Sequence, residues 1–433
     1  MLNRDLFKAG ETVAVAFSGG KDSACLFDLL LSLKDSLSIT LKAINIDHGI
    51  RGESSVKDSE FVKAICAANG IELKFYKLDC KKFSLQNGYS EEEGARIARY
   101  DCFSDAIESG FCDKVATAHH LADSVETVLF NLFRGASYSG VTGISGESMG
   151  GKIIRPLSSA TRAEIDEYIA THGVKYVTDE TNLKDEYSRN YIRNKVLPVI
   201  KERFPEAEKS IGRFAEIAER ENAYLNSLAE FALKTSDGAY LVSCALSDCL
   251  FARAVVIALK RLGVGKDYVK AHVDAVINLK TAENGSRADL PKKIRAAKEY
   301  GDVAIYDSAK SKPDCIEIPY TQGKIDGFDK KLSFENKREK TDGVKYLRFD
   351  ADKIPAGTVI RYRKSGDEFK KFGGGTKKLN DYFTDVKIPL RLRDRIPLVC
   401  SGKNVLIICG IEISDLVKVD KTTKNMLQCI YVD

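Results

Sequence analysis

The sequence predicts an α/β fold class: a parallel-sheet nucleotide-binding domain, then a helical middle domain, then a small α+β C-terminal domain. Three observations predict it. Strand and helix signals alternate through the first two hundred residues, the pattern past Tyr187 turns to long helical periodicity, and short strands return from Gly357. With 433 residues the chain is long enough for two or three domains, each burying its own core. The expected boundaries are 1–205 for the sheet domain, 206–318 for the helical one, 319–350 for a connection and 351–433 for a basic α+β domain.

The elements follow in order. Val13-Ala14-Val15-Ala16-Phe17 is apolar and partly β-branched, so Thr12–Phe17 reads as a buried strand. The apolar positions from Ala24 to Leu33 read as a helix over Ser23–Lys34. Further strands are expected over Thr40–Ile46, Glu72–Leu78 and Lys114–Ala118, and further helices over Val56–Asn69, Ser90–Ser109 and Leu121–Phe133. A parallel sheet of this kind binds its ligand at the carboxyl ends of its strands. That rule selects Ser18–Ser23, Asp47-His48-Gly49 and His119-His120. Next come AEKSIGRFAEIAERENAYLNSLAEFALK and CLFARAVVIALKRLG, with no strand signal between them until Ala239–Val242. Residues around Pro319–Val344 are rich in Lys, Asp and Gly and read as a connection, and TVIRYR and NVLIICGIEI read as strands of the last domain.

Ser18-Gly19-Gly20-Lys21-Asp22-Ser23 falls in the turn between the first strand and the first helix. Glycines let the backbone approach a ligand closely, and the N–H groups and dipole at a helix start favour an anion. Phosphate is the simplest occupant. The Walker P-loop is excluded, because its pattern needs Gly where Val15 stands and Ser or Thr where Asp22 stands.

Charged residues at 30% and hydrophobic ones at 44% describe a soluble globular protein. No apolar run is long enough to span a bilayer, and the start MLNRDLFKAGET lacks a signal-peptide core, so a cytoplasmic location with no membrane partner is expected. Eleven cysteines, none in a Cys-x-x-Cys, argue against a structural zinc site or a disulfide framework and for buried free thiols. The net charge of +5 is unevenly placed. Between Arg361 and Arg395 there are eleven Lys or Arg against five Asp or Glu, a balance that suits a polyanion or, alternatively, a solvated face.

Taken together, SGGKDS, NIDHGIR, EEEGARIARYDCF, ATAHHLADSVETVLFNLFRG and IIRPL resemble the PP-loop ATP pyrophosphatase superfamily, whose members split ATP into AMP and pyrophosphate. DETNLKDEYSRNYIRNKVLP, LFARAVVIALKRLG, RADLPKKIRAAKEYG and the stretch from Arg363 to Val399 bring the chain nearer to the tRNA(Ile)-lysidine synthetase branch. The resemblance covers most of the chain. It implies an ATP-dependent carbon–nitrogen ligase that adenylates the wobble cytidine of an isoleucine tRNA with a CAU anticodon, then replaces the activated C2 oxygen with the ε-amine of free L-lysine. ATP is the implied co-substrate and Mg²⁺ the implied metal; the sequence leaves oligomeric state open, a homodimer being compatible with it.

The same resemblance suggests roles. Ser18, Gly19, Gly20 and Ser23 would donate to the departing pyrophosphate. Lys21 stands at a variable position of the motif. Asp22 would bridge to phosphate through Mg²⁺, its alternative being a helix N-terminal carboxylate favoured by the dipole. Asp123 and Glu126, three apart on one helix face, would grip the lysine ammonium and take its proton, although such pairs also occur on solvated helix edges. The family often has an acidic or amide residue just before that Asp, and this chain has Ala122. Adjacent histidines on a strand face opposite ways, which selects His119 as an adenylate or phosphate contact, leaves His120 to packing and disfavours a zinc site. Asp47 and His48 would meet the nucleotide or simply form a turn. Arg96 and Arg99 offer cations for the α-phosphate or the tRNA backbone, surface ion pairing being the alternative. Arg189, Asn190 and Arg193 are expected near the anticodon arm, and Arg361, Lys377 and Lys378 at phosphates farther off. Of the interleaved aromatics Tyr362, Phe369, Phe372, Tyr382 and Phe383, most are expected in the core.

Three rivals are weighed. A PP-loop tRNA thiolase would need cysteine pairs, and an ammonia-coupled synthetase would need an amidotransferase domain; neither feature is present. The third is a non-catalytic RNA-binding protein that keeps the nucleotide fold.

Overall fold

The computed structural model describes residues 1–49, 53–178, 188–265, 268–310, 316–336 and 346–432. The chain divides into two compact units, Met1–Tyr224 and Leu225–Asp433.

The first unit alternates β1 (Thr12–Ala16), α1 (Lys21–Leu33), β2 (Thr40–Asp47), α2 (Glu53–Ala68), β3 (Leu73–Lys77), α3 (Cys80–Asn87), α4 (Glu91–Glu108), β4 (Lys114–Ala116), α5 (Leu121–Phe133), β5 (Glu147–Ser148), β6 (Ile153–Ile154) and α6 (Arg162–His172). The sheet order is β3-β2-β1-β4-β6-β5; only β5 runs antiparallel. Strand residues point alternately to opposite faces, and β1 is buried on both. Val13 and Val15 pack with Leu26 and Leu30 of α1 and Ile165 of α6. Ala14, between them, packs with Phe103 and Ala106 of α4. Two-sided burial is why β1 is a continuous apolar run. The short α7 (Ser188–Tyr191), a π-helical turn and α8 (Leu197–Arg203) follow, then the long α9 (Ala207–Ala232).

The division between units falls inside α9, not at the expected 205/206. Ala215 packs with Val128 and Val141 of the first unit, whereas Ala229 belongs to the core of the second. The middle segment keeps the predicted helices as α10 (Asp248–Arg261) and α11 (Lys270–Asn278). It adds an antiparallel sheet of β7 (Lys234–Ser236), β8 (Ala239–Ser243), β9 (Arg287–Asp289), β10 (Ile294–Glu299) and β11 (Asp302–Asp307), in the order β7-β8-β11-β10-β9.

The stretch 319–350 is not a mere connection. After β12 (Glu317–Pro319) it supplies β13 (Gly323–Ile325), β14 (Lys331–Glu335) and β15 (Tyr346–Asp350). These form a four-stranded sheet with a strand far away in sequence, Met426–Val432. Leu332 and Phe334 alternate into its core, but strands of three to five residues are too short to show a period, and residues 337–345 of the expected connection lie outside the described residues. The remaining elements are β16 (Val359–Arg361), β17 (Glu368–Lys370), β18 (Thr376–Lys378), α12 (Leu379–Asp385), α13 (Leu390–Arg393), β19 (Leu398–Ser401), β20 (Asn404–Ile408), β21 (Glu412–Ile413) and β22 (Met426–Val432). As expected, Phe369, Tyr382 and Phe383 are core residues, while Phe372 is exposed. All ten described cysteines are free and eight are buried. No described helix is long and apolar enough to cross a membrane.

Candidate active site

The sheet steps one way from β1 to β2 and β3 and the other way from β1 to β4. A crevice forms at the carboxyl ends of strands where the order reverses in this manner. The loop after β1 and the segment after β4 therefore share one site.

On the β1 side, Gly19 sits at φ +86°, and a Cβ there would stand 3.3 Å from Val62 Cγ2. Only glycine is comfortable in both respects. Gly20 caps α1, whose first-turn N–H groups lack intrahelical acceptors. The Ser18 and Ser23 hydroxyls lie 3.0 Å apart, and Ser23 Oγ donates to the Gly20 carbonyl at 2.8 Å. The loop is braced from outside by the Val177 N–H, which donates to the Gly19 carbonyl at 2.9 Å, and from below by Asn45 Nδ2, which donates to the Phe17 carbonyl at 2.8 Å. Lys21 turns away to Asp166 of α6 at 2.5 Å.

On the β4 side, His120 caps α5, and its backbone N–H donates to Asp123 Oδ2 at 3.0 Å. The buried imidazole holds Nε2 at 3.6 Å from Asp22 Oδ2 and 3.7 Å from Asp123 Oδ2, ion-pair rather than hydrogen-bond distances. Burial opposes its charge, but Asp22 and Asp123 outweigh that and raise its pKa. Burial likewise works against the Asp22 carboxylate, which His120, Arg162 and Arg193 nonetheless hold below its ordinary pKa. His120 is thus buried, as its assignment to packing expected, and its ring also stands between the carboxylates of the two strand ends. Strand alternation does not govern it, because β4 ends at Ala116 and residue 120 already belongs to a helix cap.

His119, half-buried, bonds through Nδ1 to Thr117 Oγ1 at 3.0 Å. Burial pushes it down to about 4; Asp123 opposes this, and Arg155, Arg99 and Arg96 reinforce it. The three arginines and His119 therefore feel one another's charge. Burial and neighbouring Arg96 also lower the pKa of Arg99, while Arg96 is exposed with its guanidinium over the Tyr100 ring. Sequence reasoning quoted Arg155 only inside IIRPL. It is buried, donating to the Ser145 carbonyl, the Tyr100 hydroxyl and Ser148 Oγ, and its Nε has no hydrogen-bond partner among the described residues. A signal was present in the sequence: an arginine directly after a buried strand.

Arg193 departs most from expectation. Its Nε and Nη2 donate to Glu126 Oε1 and Oε2 at 2.6 and 2.8 Å, and Nη2 also reaches Asp123 Oδ1 at 3.4 Å. Glu126 is 3% exposed with both oxygens engaged, so it is not open to an ammonium here. Burial pushes its carboxyl up against the pull of Arg193, while for Arg193 the two carboxylates outweigh burial. The expected tRNA contact is thus a partner of the acidic pair, because α7 and the following π-turn pack directly on α5. Ala122 is buried, leaving Asp123 and Glu126 as the acids of this helix end. Arg189 stacks over Phe130, and Asn190 lies beside it on α7.

The Asp47 carboxylate accepts the Gly49 N–H at 2.9 Å, which is the turn-forming alternative, and His48 Nδ1 lies 3.4 Å from Cys80 Sγ. In the second unit Arg361 is buried in a two-pronged pair with Asp367 at 2.9 and 2.7 Å, so it is not available to phosphate. Lys377 pairs with Asp385 at 2.8 Å, whereas Lys378 is exposed at the start of α12. Residues 179–187 of the DETNLKDEYSRN stretch lie outside the described residues.

Comparison with known proteins finds relatives over nearly the whole chain. Residues 2–200 match a family model described as a PP-loop domain, and residues 358–429 match the TilS substrate C-terminal domain. The tRNA(Ile)-lysidine synthase of Clostridium tetani is 32% identical over 98% of this chain and 95% of its own length. That of Caldanaerobacter subterraneus subsp. tengcongensis is 32% identical over 99% and 95%. That of Geobacillus kaustophilus is 30% identical over 91% and 89%. A chain whose sheet domain matches the PP-loop model and which is matched nearly end to end by such relatives belongs to the tRNA(Ile)-lysidine synthase family.

Proposed function

We propose that this chain ligates free L-lysine to C2 of the wobble cytidine of an isoleucine tRNA with a CAU anticodon, through an adenylated tRNA, with release of pyrophosphate and AMP. The observation that carries the reading is the meeting of the Ser18–Ser23 loop with His120, Asp123, Glu126 and Arg193 in one crevice. Its tRNA and lysine substrates place the enzyme in the cytoplasm.

The cytidine O2 attacks the α-phosphorus and pyrophosphate departs. Ser18, Gly19, Gly20 and Ser23 receive the pyrophosphate at the α1 N-terminus. Arg96, Arg99 and Arg155 supply positive charge at the α-phosphate, with His119 neutral among them. Among the described residues no three His, Cys, Asp or Glu side chains are grouped to hold a metal by themselves. Asp22, partly exposed beside the loop, fits Mg²⁺, which takes one or two carboxylates and completes its shell with substrate phosphate and water. Bound there, Mg²⁺ would offset the charge building on the leaving group.

The lysine amine then attacks C2, and AMP leaves with the old O2. A free ammonium of pKa about 10.4 reacts as the neutral amine near pH 7 at a penalty of about 4–5 kcal/mol. Asp123, a quarter exposed, is the acid able to receive the ammonium and take its proton, with Glu126 acting through Arg193. The test is AMP release from ATP with each amino acid in turn, with and without the isoleucine tRNA. Steady AMP production should need the tRNA and lysine together. Lysine-independent turnover, or tRNA binding with no AMP under any condition, overturns the reading in favour of a different ligase or a non-catalytic RNA-binding protein.

A further inference from the structure

Lys298, in β10, is nine-tenths buried. Its ammonium donates to the Lys280 carbonyl at 2.8 Å and to Cys244 Sγ at 2.9 Å. Among the described residues no carboxylate lies within ion-pair distance of that nitrogen, although a buried charge is costly unless paired. The contrast within the same unit is direct: buried Arg361 has Asp367 and buried Arg391 has Glu299. Lys298 has a sulfur instead. A separation of 2.9 Å is that of an ordinary N–H···O bond, short for an acceptor as large as sulfur.

Cys244 follows β8 and is half-buried, free and reachable from solvent, unlike the eight described cysteines in the cores. Its backbone N–H donates to the Gly301 carbonyl at 2.9 Å, in the turn between β10 and β11, which anchors the backbone that carries the sulfur next to β10. Lys280, which supplies the other acceptor, is itself tied down by Asp248 and the Leu246 carbonyl. The amine and the thiol are thus in direct contact.

We propose that Cys244 and Lys298 form a reversible covalent cross-link on oxidation, with a single oxygen atom bridging sulfur and nitrogen, when the protein meets hydrogen peroxide. One peroxide converts the thiol to a sulfenic acid and water. Lys298 loses its ammonium proton to solvent; a second peroxide then joins the sulfenic acid to the amine as S–O–N, releasing two further waters. Thiol, amine and two peroxides give the bridge and three waters. Sulfur and nitrogen each give up two electrons, and the peroxides accept all four. Excess dithiol returns those electrons and restores thiol and amine. The bridge ties the segment after β8 to β10 across the sheet of the middle segment.

The full-length protein is treated with hydrogen peroxide, digested with trypsin and analysed by mass spectrometry. The peptide holding Cys244 should appear joined to the peptide holding Lys298, at their summed mass plus one oxygen and minus two hydrogens, and dithiothreitol should separate them. Cys244→Ser and Lys298→Arg should each abolish the joined species; the wild-type spectrum decides the matter even if either variant folds poorly. The proposal is overturned by Cys244 found as an uncoupled sulfenic or sulfinic acid, by a Cys244–Cys249 disulfide, or by Cys244 left unmodified while exposed Cys249 oxidises.

Discussion

His119 and His120 are neighbours in the chain whose surroundings shift them in opposite directions. His120 sits between two carboxylates that favour its proton, whereas His119 is desolvated beside three arginines that disfavour it. The folded His119 therefore binds its proton only near pH 4, while the unfolded chain binds it near 6.5. Between those values the unfolded state holds more protons, so this group's contribution to stability is present above pH 6.5 and lost as the pH falls toward 4. A His119→Gln variant is expected to show a flatter fall in unfolding free energy over that window, measured by urea denaturation; a slope equal to that of the parent refutes the assignment. The closeness of Glu126 to Asp123 on one helix face was legible from their spacing, but its partner was not, since nothing in the sequence says that Arg193 folds back. Glu126→Gln removes a charge-assisted bond worth about 1.5–3 kcal/mol and should lower the melting temperature. With Arg193 loosened, kcat should fall while the KM values for lysine and ATP move together. A selective rise of tenfold or more in the lysine KM would return Glu126 to the ammonium itself.

At the scale of the element, the turn from β1 to α1 was read correctly because glycines, a buried strand and a helix start are all local signals. What holds the turn is not local: Asn45 from β2, Val177 from beyond α6 and Val62 from α2 press on it from three sides. Gly19→Ala places a side chain in the left-handed region, at about 1–2 kcal/mol, and a methyl 3.3 Å from Val62 Cγ2. The variant should stay folded yet lose most of its ATP affinity in calorimetric titration, because the loop relieves the strain by moving its N–H groups. Unchanged ATP affinity would mean that the phosphates lie elsewhere. The β14–β22 pairing shows the opposite case. Its register joins residues about a hundred positions apart, and the five-residue β14 is apolar on one side only, so composition alone read it as a linker.

Across the whole molecule, the basic stretch from Arg361 to Arg395 illustrates how charge counting overstates a polyanion site. Seven of its eleven cations are spent on Asp or Glu partners: Arg361, Arg363, Lys364, Lys370, Lys377, Arg391 and Arg395. Arg393 is buried on backbone and hydroxyl oxygens, which leaves Lys371, Lys378 and Lys387. Replacing Lys371 and Lys378 by Ala should weaken tRNA binding and reduce the log–log salt slope by about one for each lysine that meets a phosphate. Arg361→Ala should instead cost stability by leaving Asp367 buried and unpaired, by about 3–5 kcal/mol. An unchanged salt slope in the double variant would make this surface a solvated face. By itself the sequence determined the alternating α/β order, the glycine turn between β1 and α1, the acidic positions of α5 and the family, because buried strands, helix starts and motif spacing are written in neighbouring residues. Only the tertiary structure decided that His120 joins Asp22 to Asp123, that Arg193 occupies Glu126 and that most tail cations are already paired. Ion pairs and desolvation depend on which residues meet through space, and chain order does not record that meeting.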